Sequence, residues 1–278
     1  MIQLEITSSE DTTLTEALQK LYPELSNTKL KKFYQQSRVM RNYFLAENDI
    51  PVQKGDKISI LKKPSFAGTL LVYYEDKDVL VVEKPAFLLS VDSDKNPGTS
   101  VHSSLKRTYG LTFPVQRLDR ETTGVMVFAR TREGKESFWH QFEERSVERT
   151  YLAITYGVFK EKQGTWKSFL LEGEDMLMKM DERGKEAITH FEVKKIIRGT
   201  YSLISCKLET GKKNQIRVQA ADQGHPLIGD SRYGTDRKGS PLMLHAQKLS
   251  FTHPVTGKRL SFTSPIPKHF KKITSKMS

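Results

Sequence analysis

Leucines at 14, 18 and 21 recur at helical spacing, and a second helical stretch carrying Leu30, Phe33 and Tyr34 follows Ser26 and Asn27, either of which can cap it. Val-Gln-Lys-Gly-Asp-Lys-Ile-Ser-Ile at 52–60 then reads as a turn entering a strand. Residues 12–63 therefore form a small module, and the first domain is placed at 1–63. Pro64-Ser65-Phe66-Ala67-Gly68-Thr69 has the content of a linker, so a second, larger domain is placed at 70–278.

From residue 70 the pattern turns to apolar, β-rich runs. Residues 70–86 read as two strands around a charged turn, and 124–131, 150–158, 188–197 and 201–210 are further strands. Helical patterns fall at 132–147 and 214–224. Strands outnumber helices and occur in adjacent pairs as well as singly. This predicts an α+β fold, with a mixed and largely antiparallel sheet in the larger domain and a small α/β domain before it. The tail from Pro267, with four lysines and no acid, reads as a frayed, solvated end.

Composition narrows the partners. The 278 residues are 37% hydrophobic and 28% charged, enough for a packed core. Forty-five Lys and Arg against 33 Asp and Glu give +12, which favours an anionic partner such as nucleic acid. Five of the basic residues, Lys29, Lys31, Lys32, Arg38 and Arg41, fall between Thr28 and Ala46, where there is no acid. As a bare pattern this is as much a solvated helix face as a binding surface. No apolar run has transmembrane length, and the first residues lack the basic and apolar regions of a signal peptide. The single cysteine, Cys206, excludes an internal disulfide framework. A cytoplasmic monomer without membrane contact is the expectation. The seven histidines show no zinc-ligand spacing, and no glycine-rich phosphate loop is present, so neither a metal nor a nucleotide cofactor is expected.

The informative chemistry lies at Pro114–Gly124, where Asp119 stands between Arg117-Leu118 and Arg120, directly before the apolar run Val125–Phe128. Flanking guanidinium groups favour the charged carboxylate, a setting suited to a nucleophile. On spacing alone the same residues could be a surface ion-pair cluster, the commoner case. The segment as a whole resembles the signature of the RluA-type pseudouridine synthases, in which Arg-Leu-Asp-Arg leads through a Thr/Ser-Gly pair into a strand. Further segments match in the family's order from about residue 70 to 262. Tyr-Glu-Asp-Lys-Asp-Val-Leu-Val-Val-Glu-Lys-Pro at 74–85 resembles the opening strand pair, and Gly224–Gly234 with Leu244–Pro254 resembles the loop and strand that complete the site. The stretch at 25–60 is similar to the S-four RNA-binding domain, with Arg41-Asn42-Tyr43 in place of the usual Val-Asn-Gly step.

The resemblance implies an enzyme that isomerises uridine to pseudouridine in structured RNA, ribosomal or transfer, after flipping the base out of its stack and without a cofactor. It assigns Asp119 to the sugar, either by attack on carbon 1′ or through a glycal. Tyr151 would stack on the base, and Arg217 would pair with Asp119. Substrate contacts fall to Arg117, Arg120, Thr123, Gln215 and Leu244, and RNA affinity to the basic residues of the first domain. Gln116, Asn214 and Gln219 stand where many members have histidine. Locally, Tyr151 could equally be a core aromatic and Arg217 a surface cation. Two other classes compete. An RNA-binding module without catalysis leaves Asp119, Tyr151 and Arg217 unexplained. A glycosidase needs two facing carboxylates, and Asp119 and Glu121, two apart on extended backbone, would point to opposite sides.

Overall fold

The computed structural model describes residues 2–35, 39–41, 44–46, 48–61, 70–94, 97–234, 236 and 241–275. The chain divides into two compact units, residues 1–68 with 236–241, and residues 69–235 with 242–278.

The first unit runs β1 (Ile2–Thr7), β2 (Thr12–Thr13), α1 (Leu14–Leu21), α2 (Asn27–Gln35), β3 (Val39–Arg41), β4 (Phe44–Ala46), β5 (Pro51–Val52) and β6 (Lys57–Leu61). Thr13 starts α1 through a capping box, its hydroxyl accepting from the Glu16 N–H while the Glu16 carboxylate accepts from its own. Ser26 Oγ accepts from the Lys29 N–H at 3.3 Å and begins α2. Leu14 and Leu18 from α1 and Leu30, Phe33 and Tyr34 from α2 pack with Val39, Ile58 and Ile60 of the sheet β1-β6-β3-β4.

The second unit runs β7 (Val72–Glu75), β8 (Val79–Lys84), α3 (Val101–Tyr109), β9 (Phe113–Pro114), β10 (Thr123–Ala129), α4 (Arg132–Glu143), β11 (Glu148–Tyr156), β12 (Gln163–Glu172), β13 (Met178–Met180), β14 (Lys185–Ile197), β15 (Tyr201–Leu208), α5 (Gln215–Asp222), β16 (Leu244–Thr252), β17 (Arg259–Thr263) and α6 (Lys268–Ser275). The eleven strands form one sheet of order β13-β12-β14-β15-β11-β16-β10-β8-β7, with β17 on β16 and β9 on β10. Among the described residues every pairing is antiparallel except β10 with β16, which meet only at Thr123–His245 and Gly124–Ala246. This is the expected mixed, largely antiparallel α+β architecture. Gly124 makes the parallel contact possible. Its φ is +122°, and a Cβ there would lie 2.2 Å from the Ala246 carbonyl oxygen.

Every residue of β10 is buried, and Val125 and Val127 pack with Phe138 of α4 and Phe251 of β16. The tail differs from expectation. From Lys268 it forms α6, with Phe270 buried against Leu152, Ile154 and Met243 and Ile273 beside it. These two apolar residues, three apart, give the lysine-rich end one anchored face. No helix among the described residues is long and apolar enough to cross a membrane.

Candidate active site

Asp119 lies in the loop between β9 and β10, and the backbone around it is fixed from the segment that follows β8. Ser90 Oγ donates to the Leu118 carbonyl at 2.7 Å and accepts from the Leu118 N–H at 2.9 Å. Phe87 N–H, on a residue held at φ +65°, donates to the Arg120 carbonyl. Lys84, fully buried, donates to the carbonyls of Pro85, Arg120 and Thr122 at 2.9, 3.0 and 2.7 Å. Burial pulls the Lys84 pKa down to about 7 against the opposing charges of Glu121 and Asp119. The aspartate therefore sits on a turn whose neighbours on both sides are bolted down.

Its side chain is oriented from α5. Arg217 Nη1 donates to Asp119 Oδ2 at 3.2 Å and Asn214 Nδ2 donates to the same oxygen at 2.6 Å. Oδ1 has no hydrogen-bond donor among the described residues. The Asp119 side chain remains 26% exposed, whereas that of Arg217 is 3% exposed. Arg217 is itself held by a two-bond fork to Asp230, Nε–Oδ2 2.7 Å and Nη2–Oδ1 2.8 Å. Burial works against both charges of this pair. The fork outweighs it, lowering the Asp230 pKa and raising that of Arg217. Tyr233 lies under the guanidinium, 5.5 Å from ring centroid to Cζ, and its hydroxyl donates to Asn214 Oδ1 at 3.2 Å. Asn214 adopts a left-handed φ of +53° and leaves α5 without a side-chain cap, because its amide is spent on Asp119 and Tyr233.

The structure brings Asp119, Tyr151 and Arg217 together. Tyr151, near the start of β11, lines one cavity with Asp119, Arg117, Asn214, Gln215 and Leu244. Burial pushes the Tyr151 phenol above its ordinary range, against the pull of the Arg149 charge. Several expected contacts differ in detail. Gln215 borders the cavity, but its amide is taken by Thr210, Lys212, Ile188 and Thr189, so it braces the loop before α5. Thr123 is bonded inward to His245 at 2.7 Å. Arg120 turns to Glu121, Nε–Oε1 3.3 Å, while Arg117 is exposed along the cavity. Asp119 and Glu121 are on a turn and both approach Arg217 Nη1, at 3.2 and 3.8 Å, which overturns the expectation that they point apart. Burial raises the Glu121 carboxyl, but Arg120 and Arg217 outweigh it and hold it below the usual range.

In the first unit, Lys29 and Lys31 are exposed on α2, but Arg41 is bound to Asp56 at 2.6 Å. Arg38 and the Lys32 side chain lie outside the described residues.

Asp76, Asp78 and His253 gather within 4.8 Å of one another, a spacing compatible with a metal. Their hydrogen bonds argue otherwise. His253 Nδ1 accepts from the Val255 and Thr256 N–H groups, so its proton is on Nε2, which donates to Asp76 Oδ2 at 2.7 Å. Asp76 accepts in addition from Tyr74 and the Asp78 and Val79 N–H groups. The cluster fastens the β7–β8 turn to the β16–β17 turn. Residues not anticipated from sequence are Lys84, Ser90, Asp230 and Tyr233, which act by holding the site's backbone or its arginine.

The family model for RNA pseudouridylate synthase matches residues 78–222. An RNA pseudouridine synthase of Synechocystis is 32% identical, over 90% of this chain and 84% of its own. The ribosomal large subunit pseudouridine synthase D of Xylella fastidiosa is 31% identical over the same shares, and synthase C of Rickettsia bellii is 30% identical over 94% and 96%. The fold is similar to that of human RNA pseudouridylate synthase domain containing 1, with a TM-score of 0.62 over 74% of this chain and 87% of that one at 24% identity. By family model and by relatives of nearly full length, this chain belongs to the RNA pseudouridylate synthases, enzymes that isomerise uridine in RNA.

Proposed function

We propose that the cavity around Asp119 receives a flipped uridine of ribosomal RNA and that Asp119 Oδ1 acts at its ribose. The observation that carries this reading is the convergence of Arg217 and Asn214 on Oδ2, which aims the carboxylate and leaves Oδ1 without a donor. Forming pseudouridine breaks the bond from carbon 1′ to uracil N1, turns the base, and joins carbon 1′ to C5. N1 gains a proton and C5 loses one, so the overall change is isomerisation. A half-buried carboxylate held in one orientation stabilises positive charge at carbon 1′ whether the route is an ester with Asp119 or a glycal.

Taking the uridine out of its stack costs a few kcal/mol. The Tyr151 ring supplies a replacement face, and exposed Arg117 is placed to fill the vacated space or meet a phosphate. The names of the Xylella and Rickettsia relatives favour ribosomal over transfer RNA as the substrate. The protein acts as a cytoplasmic monomer in this reading. The first unit adds affinity through Lys29 and Lys31, so Lys29→Ala with Lys31→Ala should flatten the dependence of log affinity on log salt by about 0.7–0.9 per lost phosphate contact.

Asp119→Asn tests the central assignment. It keeps size and much of the hydrogen bonding and removes the charge. Tritium release from uracil C5 should become undetectable while RNA binding stays within a few-fold, since phosphate contacts dominate affinity. Activity that survives the substitution overturns the role of Asp119. A wild type that releases free uracil or leaves abasic sites overturns isomerisation at this cavity.

A further inference from the structure

Next to the Asp119 cavity lies a second hollow of about 490 Å³, within the range of sites that take small ligands. The two adjoin, since Arg117, Tyr151, Leu208 and Lys212 line both. The outer wall is made by α4, where Trp139 is 57% exposed and Phe142 follows it on the same face. A large indole left in solvent beside a nucleic-acid cavity offers a stacking surface.

The inner wall carries two of the six buried side-chain atoms that have no hydrogen-bond partner among the described residues, Gln116 Nε2 and Arg149 Nε. Elsewhere in this unit buried amides are saturated. Gln219 bonds Thr189, Trp166, Ser168 and Ala187, and Gln215 uses both ends of its amide. Two such donors on one wall are open to an acceptor that comes from outside the protein. Arg149 is kept in position by its guanidinium over the Phe142 ring at 5.3 Å and by a bond from Nη2 to the Glu209 carbonyl at 3.3 Å. Arg145 is neutralised by Glu209 and Glu186, so Arg117, Arg149 and Lys212 supply the positive charge of this hollow.

We propose that this hollow is a second nucleotide subsite, taking the unpaired base next to the target uridine on the same RNA strand. The base stacks on Trp139. Its carbonyl oxygens or ring nitrogens accept from Gln116 and Arg149 after a small turn of both side chains, and the linking phosphates lie along Arg117 and Lys212. A flat face, acceptor atoms and flanking negative charge together describe a nucleotide. The proposal rests on the reading that the Asp119 cavity holds the flipped uridine, because unstacking that base also frees its neighbour.

The test uses the full chain, with ribosomal RNA from cells lacking the protein as substrate and tritium release as the readout. Trp139→Ala should raise KM about ten-fold or more while kcat stays within about two-fold, and Trp139→Phe should restore most of the loss. Because Trp139 is exposed, its removal leaves the core intact. Gln116→Leu should raise KM in the same way with no fall in melting temperature. A KM unchanged by Trp139→Ala overturns the subsite, as does a loss confined to kcat. An inactive wild type overturns the uridine reading itself, and the subsite with it.

Discussion

Tyr151 borders two hollows that treat their buried charges and amides differently. On the Asp119 side the buried charges are answered, with Arg217 shared among Asp230, Asp119 and Glu121, and Lys84 ringed by three carbonyls. On the Gln116 side two nitrogen donors are buried without a partner among the described residues, whereas on the Asp119 side only the Thr122 hydroxyl is. A carboxylate that must meet one carbon of the sugar gains from being aimed before the substrate arrives, since the aiming then costs nothing during the reaction. A surface that must tell one RNA from another gains from bonds that exist only in the complex, because an unmatched buried donor weakens the free protein by about 1–3 kcal/mol. With the roles proposed for the two hollows, chemistry is preassembled and recognition is deferred to the RNA.

The contrast can be broken most severely at its best-satisfied pair. Asp230→Ala leaves Arg217 buried with its main counter-charge gone. Thermal or urea unfolding should show a loss of about 3–5 kcal/mol, and turnover should fall with it as Arg217 loses its fixed aim at Asp119. Retained stability would mean that the fork is not what holds α5 in place. Tyr151→Phe comes next. Burial keeps this residue a neutral phenol through the ordinary pH range, and the substitution retains its ring. Turnover should drop about 100-fold with binding intact if the hydroxyl moves a proton, whereas near-normal turnover would confine Tyr151 to stacking.

The sharpest comparison is one substitution at two positions. Gln219→Leu removes the bonds to Thr189, Trp166, Ala187 and the half-buried Ser168 and should cost at least about 2 kcal/mol in unfolding experiments. Gln116→Leu removes an unmatched donor and should leave stability unchanged or slightly higher. Equal losses at the two positions would erase the distinction between the hollows.

Much of this was legible in the sequence. Leu14 and Leu18, the runs at 70–86 and 124–131, and the helices at 132–147 and 214–224 announce themselves by period, and they form the elements expected of them apart from ends a few residues long or short. Asp119, Tyr151 and Arg217 could be named together because contiguous segments carry them. What pattern could not show is the use of side chains across long separations. Nothing local distinguishes Lys84, at the end of a strand, as the residue that fixes a turn about 36 positions later, or Asp230 as the partner of Arg217. Gln215 and Thr123 stood in the right segments but point inward, an outcome decided by whichever buried partner lies nearest. The turn at 119–122 brings Glu121 to the same guanidinium as Asp119, which an assumption of extended backbone misses.

The place of β16 in the sheet sets an order of assembly. Among the described strands it alone pairs with both β10 and β11, yet it is made after both, at Leu244–Thr252. Asp119 is anchored on the β7–β10 half, whereas Tyr151 and Arg217 belong to the half built from β11 to β15 and α5. During synthesis the two halves can each form hairpins as they emerge, but their edges stay unjoined until the Leu244–Thr252 strand has been translated. The catalytic sheet is thus closed by the next-to-last of the described strands, and a nascent chain halted before Leu244 holds its aspartate and that aspartate's arginine on two sheets with open edges.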